Sequence, residues 1–123
     1  MLSLQLKETI DMIQEVKIRN FMSFKDEVTF SFEATRDKTF EDYQVIEVAE
    51  GVRLLRFALI YGANASGKSN LLHVFDFLYG FWFSRTKDLD AVTRVIPFML
   101  DQNTPNQPSR FEVKFYVDET KYW

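Results

Sequence analysis

The sequence predicts an α/β fold (an α+β fragment) in which antiparallel strands accompany one strand–turn–helix unit. Apolar and polar residues alternate over Val28–Phe32 and again over Phe111–Val117, which is typical of half-buried strands. The apolar run Leu54–Tyr61 indicates a buried strand, and a glycine-rich segment follows it. After that segment, apolar residues recur at helical spacing: Leu71, Val74, Phe75, Leu78 and Trp82.

The first third of the chain predicts a pair of strands and a loop. Val16 and Ile18 indicate a first strand, and Val28–Phe32 a second that pairs antiparallel with it. Residues 33–44 are polar and charged, so we expect a mobile loop there. The segment Val45–Val48 indicates a further short strand, with a turn at Glu50 and Gly51.

The last third of the chain predicts a loop followed by a hairpin. A short helix is one interpretation of Leu89–Val95, and the composition of Asp101–Ser109 favours a loop. Phe111–Val117 should present one apolar and one polar face, because its even-numbered residues are polar. A turn at Asp118 and Glu119 would then lead into a returning strand from Thr120 onward.

The strongest motif is the segment Gly62–Ser69, which fits the phosphate-binding pattern GxxxxGK[ST] at every fixed position. Its glycines allow the backbone to wrap an anion, and its N–H groups point inward at a phosphate. Lys68 would reach the β- and γ-phosphates, and the Ser69 hydroxyl would bind Mg²⁺. The predicted nucleotide-binding residues of this P-loop are Gly62, Ala63, Asn64, Ala65, Ser66, Gly67, Lys68, Ser69 and Asn70.

Composition limits the classes of function. The chain has 123 residues, enough for one small domain, and its net charge of −3 gives no global attraction to nucleic acid or anionic membranes. It has no cysteine, which excludes disulfides and thiolate chemistry. No apolar run is long enough to span a membrane, and the first residues lack a signal peptide's pattern. We therefore expect a cytoplasmic protein without a membrane partner.

Two segments carry a resemblance to a known family. Ile18–Phe24 with the following strands, and Tyr61–Leu72 with the P-loop, resemble the amino-terminal head lobe of SMC/RecF-type ATPases. The similarity is closer to the prokaryotic AAA-family ATPases of the ABC superclass in abortive-infection, overcoming-lysogenization-defect (OLD-like) and retron-associated defence systems. It covers Met12–Trp123. Residues 1–11 are expected to be an extension, upstream of a natural start at Met12, and residues 12–123 the amino-terminal part of an ATP-binding domain, truncated before the Walker B strand.

The resemblance implies an ATP- and Mg²⁺-binding P-loop NTPase lobe in a head that dimerises around nucleotide. It makes Arg19 and Asn20 candidate contacts to ribose or phosphate, and a solvated turn is the alternative interpretation. One departure from the commoner loop is Ala65, where a glycine often stands. Its methyl group should be tolerated if the residue keeps ordinary backbone angles.

The resemblance also defines what the chain lacks. Hydrolysis in such ATPases needs a later Asp-Glu pair, a glutamine loop, a signature motif and a switch histidine, and none is evident after residue 83. The chain alone is therefore expected to hydrolyse ATP no faster than background, and Asp101 is the first candidate for an overlooked carboxylate. The parent protein would act in phage defence or DNA repair, on nucleic acid or with an effector protein.

Two other interpretations stay open. The chain could be a different P-loop enzyme such as a small kinase, although three strands predicted before the motif disfavour that. It could also be a non-enzymatic fragment that binds nucleotide weakly or not at all. Under every interpretation we expect a homo-oligomer, because the helical stripe of Leu71, Val74, Phe75, Leu78 and Trp82, with Phe81 and Phe83, forms a large apolar surface.

Overall fold

The computed structural model describes residues 11–83 and 95–123, and shows an α+β protein. Its strands are β1 (Asp11–Arg19), β2 (Val28–Ser31), β3 (Val45–Ala49), β4 (Val52–Leu55), β5 (Arg110–Val117) and β6 (Thr120–Tyr122). Its helices are α1 (Glu41–Gln44), α2 (Lys68–Phe83) and a 3₁₀ turn (Thr104–Asn106). The predicted helix at Leu89–Val95 lies outside the described residues, except for Val95.

The strands form two sheets. One has the order β2-β1-β5-β6, and the other is the hairpin β3-β4. The chain divides into two compact units. Of the described residues, the first unit contains 11–16, 30–58 and 112–123, and the second contains 17–29, 59–83 and 95–111.

The first unit has its core on the β3-β4 hairpin. Val48 and Leu54 are buried together with Tyr116 of β5. The predicted turn between the two strands is confirmed: Gly51 has a φ of +73°, and its N–H donates to the Glu47 carboxylate at 3.0 Å. The backbone of a glycine takes that angle without steric cost, so the hairpin closes tightly.

The predicted hairpin at the end of β5 is also confirmed. Strands β5 and β6 are antiparallel, with Val117 opposite Thr120. Asp118 and Glu119 between them have φ of +46° and +67°, as the tightest hairpin turns require. The prediction that the polar face of β5 includes Tyr116 is wrong, because this residue is only 5% exposed. A tyrosine ring carries enough apolar surface to be buried on either face.

The second unit packs helix α2 against aromatic side chains. The Phe77 ring lies 4.8 Å from that of Phe111 and 5.7 Å from that of Phe21, measured between ring centroids. The apolar stripe of the helix is confirmed in part, since Val74 and Leu78 are its buried residues. Trp82, the last residue of the predicted stripe, is 48% exposed.

Two predictions for the first half of the chain need correction. The strand predicted over Leu54–Tyr61 ends at Leu55, and residues 57–61 are exposed and irregular. An extended segment becomes a strand only when a neighbour satisfies its backbone groups, and no described strand pairs with residues 57–61. The polar segment 33–44, predicted as a loop throughout, ends in the four-residue helix α1.

Candidate nucleotide-binding site

The GxxxxGK[ST] segment forms the entry to helix α2. Gly67 immediately precedes the helix, which begins at Lys68, and the first turn starts with the Leu71 N–H donating to the Gly67 carbonyl at 3.0 Å. The first N–H groups of a helix have no partner within it, and the helix dipole is positive at this end. Residues 62–66 are exposed. The loop is thus an open site whose backbone and dipole favour an anion.

The Lys68 side chain reaches back across the loop. Its ammonium donates to the carbonyl of Gly62 at 2.7 Å and to the carbonyl of Ala63. The Ser66 hydroxyl lies 3.4 Å from the same nitrogen. A full positive charge therefore lies within the loop itself, where it can neutralise a bound phosphate.

The Ser69 hydroxyl is the one magnesium ligand that the sequence predicts. Ser69 is exposed in the first turn of α2, and Asn70 beside it is half-buried. In the described parts of the chain there is no cluster of three or more His, Asp or Glu side chains that could hold a metal. Mg²⁺ is commonly held by one or two protein oxygens with water and substrate phosphates, so a single hydroxyl fits that donor set.

Gly67 lies against the turn of the segment Ile18–Phe24, which the resemblance to SMC/RecF-type heads placed beside the nucleotide. Its φ is +87°, and a Cβ atom there would lie 3.1 Å from the Ser23 Oγ and 3.9 Å from the Phe24 ring. A side chain at position 67 would therefore meet both steric strain and a close neighbour. Ser23 and Phe24 belong to this segment, and the residue pattern did not single out either of them.

Ala65 contradicts the expectation of ordinary backbone angles. Its φ is +62°, in the left-handed region that side-chain-bearing residues avoid. The glycine that often stands at this point of such loops would take this conformation at lower cost. Ala65 is thus a strained position in the phosphate-binding loop.

The structure places the candidates Arg19 and Asn20 in different environments. Arg19 is exposed at the end of β1. Asn20 is 2% exposed, and its amide group donates to the carbonyls of Thr104 at 2.8 Å and Gln107 at 2.9 Å. Its side-chain oxygen accepts from the Phe98 N–H at 3.0 Å. The Asn20 side chain thus has its partners inside the protein, and Arg19 is the more accessible candidate for a phosphate.

The carboxylate of Asp101 forms an ion pair and a backbone hydrogen bond. It lies 2.6 Å from the Lys25 ammonium and accepts from the Asn103 N–H at 2.7 Å. The hydrogen bond from Lys25 lowers the pKa of Asp101, and that from the Asn103 backbone lowers it further. A carboxylate held ionised by these contacts is poorly suited to accept a proton at neutral pH.

The class of the chain follows from its similarity to one protein family. Residues 57–122, more than half of the chain, match the model of the AAA domain described for AbiEii-type toxins of type IV toxin–antitoxin systems. The matched segment contains the whole phosphate-binding loop and helix α2. The chain belongs to this AAA family.

Family membership makes this AAA chain a P-loop nucleotide-binding protein of the ATPase type, and such proteins use ATP with Mg²⁺. No curated protein and no solved structure is significantly similar to it. Among the described residues, neither helix combines the length and apolar character needed to cross a bilayer.

Proposed function

We propose that the AAA chain is the ATP-binding lobe of an ABC/SMC-like ATPase that acts in phage defence or DNA repair. The observation that carries the proposal is the position of Lys68, whose ammonium lies across a glycine-rich loop at the start of a 16-residue helix. The family match contributes the AAA class, and the resemblance of Ile18–Phe24 to SMC/RecF-type heads contributes the finer assignment.

Nucleotide binding would exchange the partners of Lys68. In the free loop its ammonium donates to the neutral carbonyls of Gly62 and Ala63. A phosphate carries full negative charge, so the Coulomb attraction between opposite charges makes it a stronger partner for the ammonium than a neutral carbonyl. Lys68 therefore turns to the phosphate when one enters the loop, and the N–H groups of the first helical turn bind the remaining oxygens.

The metal and the sugar would be held by residues next to the loop. We propose that Ser69 supplies a hydroxyl to Mg²⁺, with water and phosphate oxygens as the other ligands. Arg19 is exposed and precedes the turn that contacts Gly67, so we propose it as a second cation for the phosphates or the ribose. Asn20 enters this proposal through its backbone position alone, because its amide is bonded within the protein.

Hydrolysis needs more than this loop. Phosphoryl transfer depends on groups that orient the attacking water and stabilise the developing charge. The carboxylate of Asp101 is taken up by Lys25, so it is not part of our proposal. We propose that the described residues supply binding, and that action on nucleic acid or with an effector depends on groups outside this loop.

The test is a titration with ATP, with and without Mg²⁺, of the wild-type chain and two variants. Lys68→Ala should weaken binding about 10- to 100-fold, because a hydrogen bond to a charged group contributes about 1.5–3 kcal/mol. Ser69→Ala should weaken it mainly when Mg²⁺ is present, since its hydroxyl acts through the metal. Lys38→Ala, at an exposed lysine of the first unit, is the matched control and should leave binding unchanged. Equal affinities of wild type and Lys68→Ala would refute the proposal.

A further inference from the structure

Asn20 is a buried polar side chain of the second unit whose amide is bonded to three backbone groups. It is 2% exposed at the end of β1, and its φ of +52° is one that asparagine tolerates better than most residues. The carbonyls of Thr104 and Gln107 accept from its amide nitrogen, and the Phe98 N–H donates to its amide oxygen. The Asn20 amide thus supplies two donors and one acceptor to backbone groups of a segment, residues 98–107, that forms neither a strand nor an α-helix.

In the segment from Phe98 to Ser109, which Asn20 contacts, one hydroxyl forms a hydrogen bond within the segment and another bonds the backbone of Asn20. The Thr104 hydroxyl donates to the Phe98 carbonyl at 2.9 Å, and the Ser109 hydroxyl donates to the Asn20 carbonyl. We call the group Asn20, Phe98, Thr104, Gln107 and Ser109 the Asn20 clamp. It joins Asn20 to residues at least 78 positions away in the sequence, since Phe98 is the member nearest to it.

The residues directly after Asn20 lie against the phosphate-binding loop. Phe21 and Phe24 exchange backbone hydrogen bonds of 3.0 and 2.8 Å, which close a tight turn. The Met22 N–H donates to the Ile96 carbonyl at 2.8 Å, so the turn is also tied to the chain ahead of the clamp. Within this turn, Ser23 lies 3.1 Å from the point where a Cβ of Gly67 would stand.

From this chain of contacts we infer that the Asn20 clamp positions the phosphate-binding loop. The clamp fixes the backbone at Asn20, the turn at 21–24 follows from it, and Ser23 and Phe24 limit the positions open to Gly67. Gly67 ends the loop and starts helix α2, so its position sets where the N–H groups and Lys68 meet a phosphate. The clamp side chains act as positioning groups and do not themselves contact nucleotide.

The inference predicts a two-way coupling. If the clamp favours the loop geometry that binds phosphate, bound nucleotide must stabilise the clamp by the same factor. This part rests on the proposed nucleotide-binding function. The effect of the clamp on the empty loop does not, and it can be measured without any ligand.

The experiment uses Ser109→Ala, which removes one hydrogen bond of the clamp and leaves Asn20 in place. The matched control is Ser31→Ala in the first unit, where the lost hydroxyl accepts from the Glu33 N–H at 3.1 Å. Amide hydrogen exchange of the nucleotide-free proteins is measured at the turn 20–24 and at Gly67–Leu71, and MgATP affinity is measured by titration.

Ser109→Ala should speed exchange at both segments and weaken MgATP binding about three- to tenfold, the range of one ordinary hydrogen bond. Ser31→Ala should change neither. If Ser109→Ala fails to fold, Thr104→Val takes its place, since it removes only the hydroxyl bond to Phe98.

Two outcomes separate this inference from the proposed function. If Ser109→Ala speeds amide exchange at the turn 20–24 but not at Gly67–Leu71, the inference is overturned, because the clamp would then stabilise only its own surroundings. If wild-type protein fails to bind ATP, the proposed function fails. The inference is then decided by the amide exchange of Ser109→Ala at Gly67–Leu71. Exchange faster than that of wild type supports the inference, and unchanged exchange overturns it.

Discussion

Replacing Ala65 with glycine should stabilise the folded protein. Ala65 has a φ of +62° within the phosphate-binding loop, where its Cβ is unfavourable. Glycine takes the same angle without that cost. The substitution removes one methyl group from an exposed position, so the loss of packing is small.

The expected size follows from two opposing terms. The left-handed conformation costs a residue with a side chain about 1–2 kcal/mol. Glycine loses more conformational freedom on folding, which costs about 0.5–1 kcal/mol relative to alanine. The difference favours glycine by about 0.5–1 kcal/mol, which corresponds to a two- to fivefold gain in the folding equilibrium. For a domain of this size we expect the melting temperature to rise by about 2–5 °C.

The same loop offers a matched control. Ala63 is described by the structure and does not have a positive φ, so Ala63→Gly brings only the entropic cost. Thermal unfolding, followed by circular dichroism, should rank the melting temperatures as Ala65→Gly above wild type and wild type above Ala63→Gly. The affinity of Ala65→Gly for ATP should be at least that of wild type. A melting temperature of Ala65→Gly at or below that of Ala63→Gly would refute the argument from backbone strain.

Two further predictions concern acid stability and assembly. The contact with Lys25 lowers the pKa of Asp101 below its ordinary value of 3.8, so its stabilising effect is present above that pH and is lost as the pH falls through the folded-state pKa. In Lys25→Met the free energy of unfolding should therefore fall less steeply below about pH 4 than in wild type. Urea titrations that show the same pH dependence for both proteins would contradict this. The end of α2 exposes Tyr79, Phe81, Trp82 and Phe83, which favours association of copies. Sedimentation at micromolar concentration should show a dimer or larger species that Phe81→Glu weakens, and a monomeric wild type would contradict it.

The sequence predicted the parts of the site that depend on neighbouring residues. Helical spacing from Leu71 to Leu78 indicated a helix, and α2 begins at Lys68, inside the predicted motif. The turns at Gly51 and at Asp118–Glu119 followed from the presence of glycine and aspartate, which turns favour. In each case a few adjacent residues determine the local geometry, so the pattern was sufficient.

Features that depend on distant residues could not be predicted in this way. Asn20 was predicted as a contact to ribose or phosphate, with a solvated turn as the alternative, because nothing in the sequence indicates that Thr104 and Gln107 accept its hydrogen bonds. Tyr116 appeared to face solvent, because alternation alone does not show that β3 and β4 cover it. The segment 57–61 appeared to be a strand, because apolar character does not show whether a partner strand exists.

The geometry of the loop suggests that its shape is set before nucleotide arrives. Gly67 is confined by the turn at Ser23, and the Lys68 ammonium already lies across the loop, so that binding only exchanges its partners. A site that is ordered in advance loses little conformational entropy on binding, so more of the interaction energy appears as affinity. Ala65 opposes this order, because its strain favours other loop conformations. The affinity of the loop for nucleotide therefore depends on two opposing effects: the turn at 21–24 stabilises the loop conformation seen here, and the strain at Ala65 destabilises it.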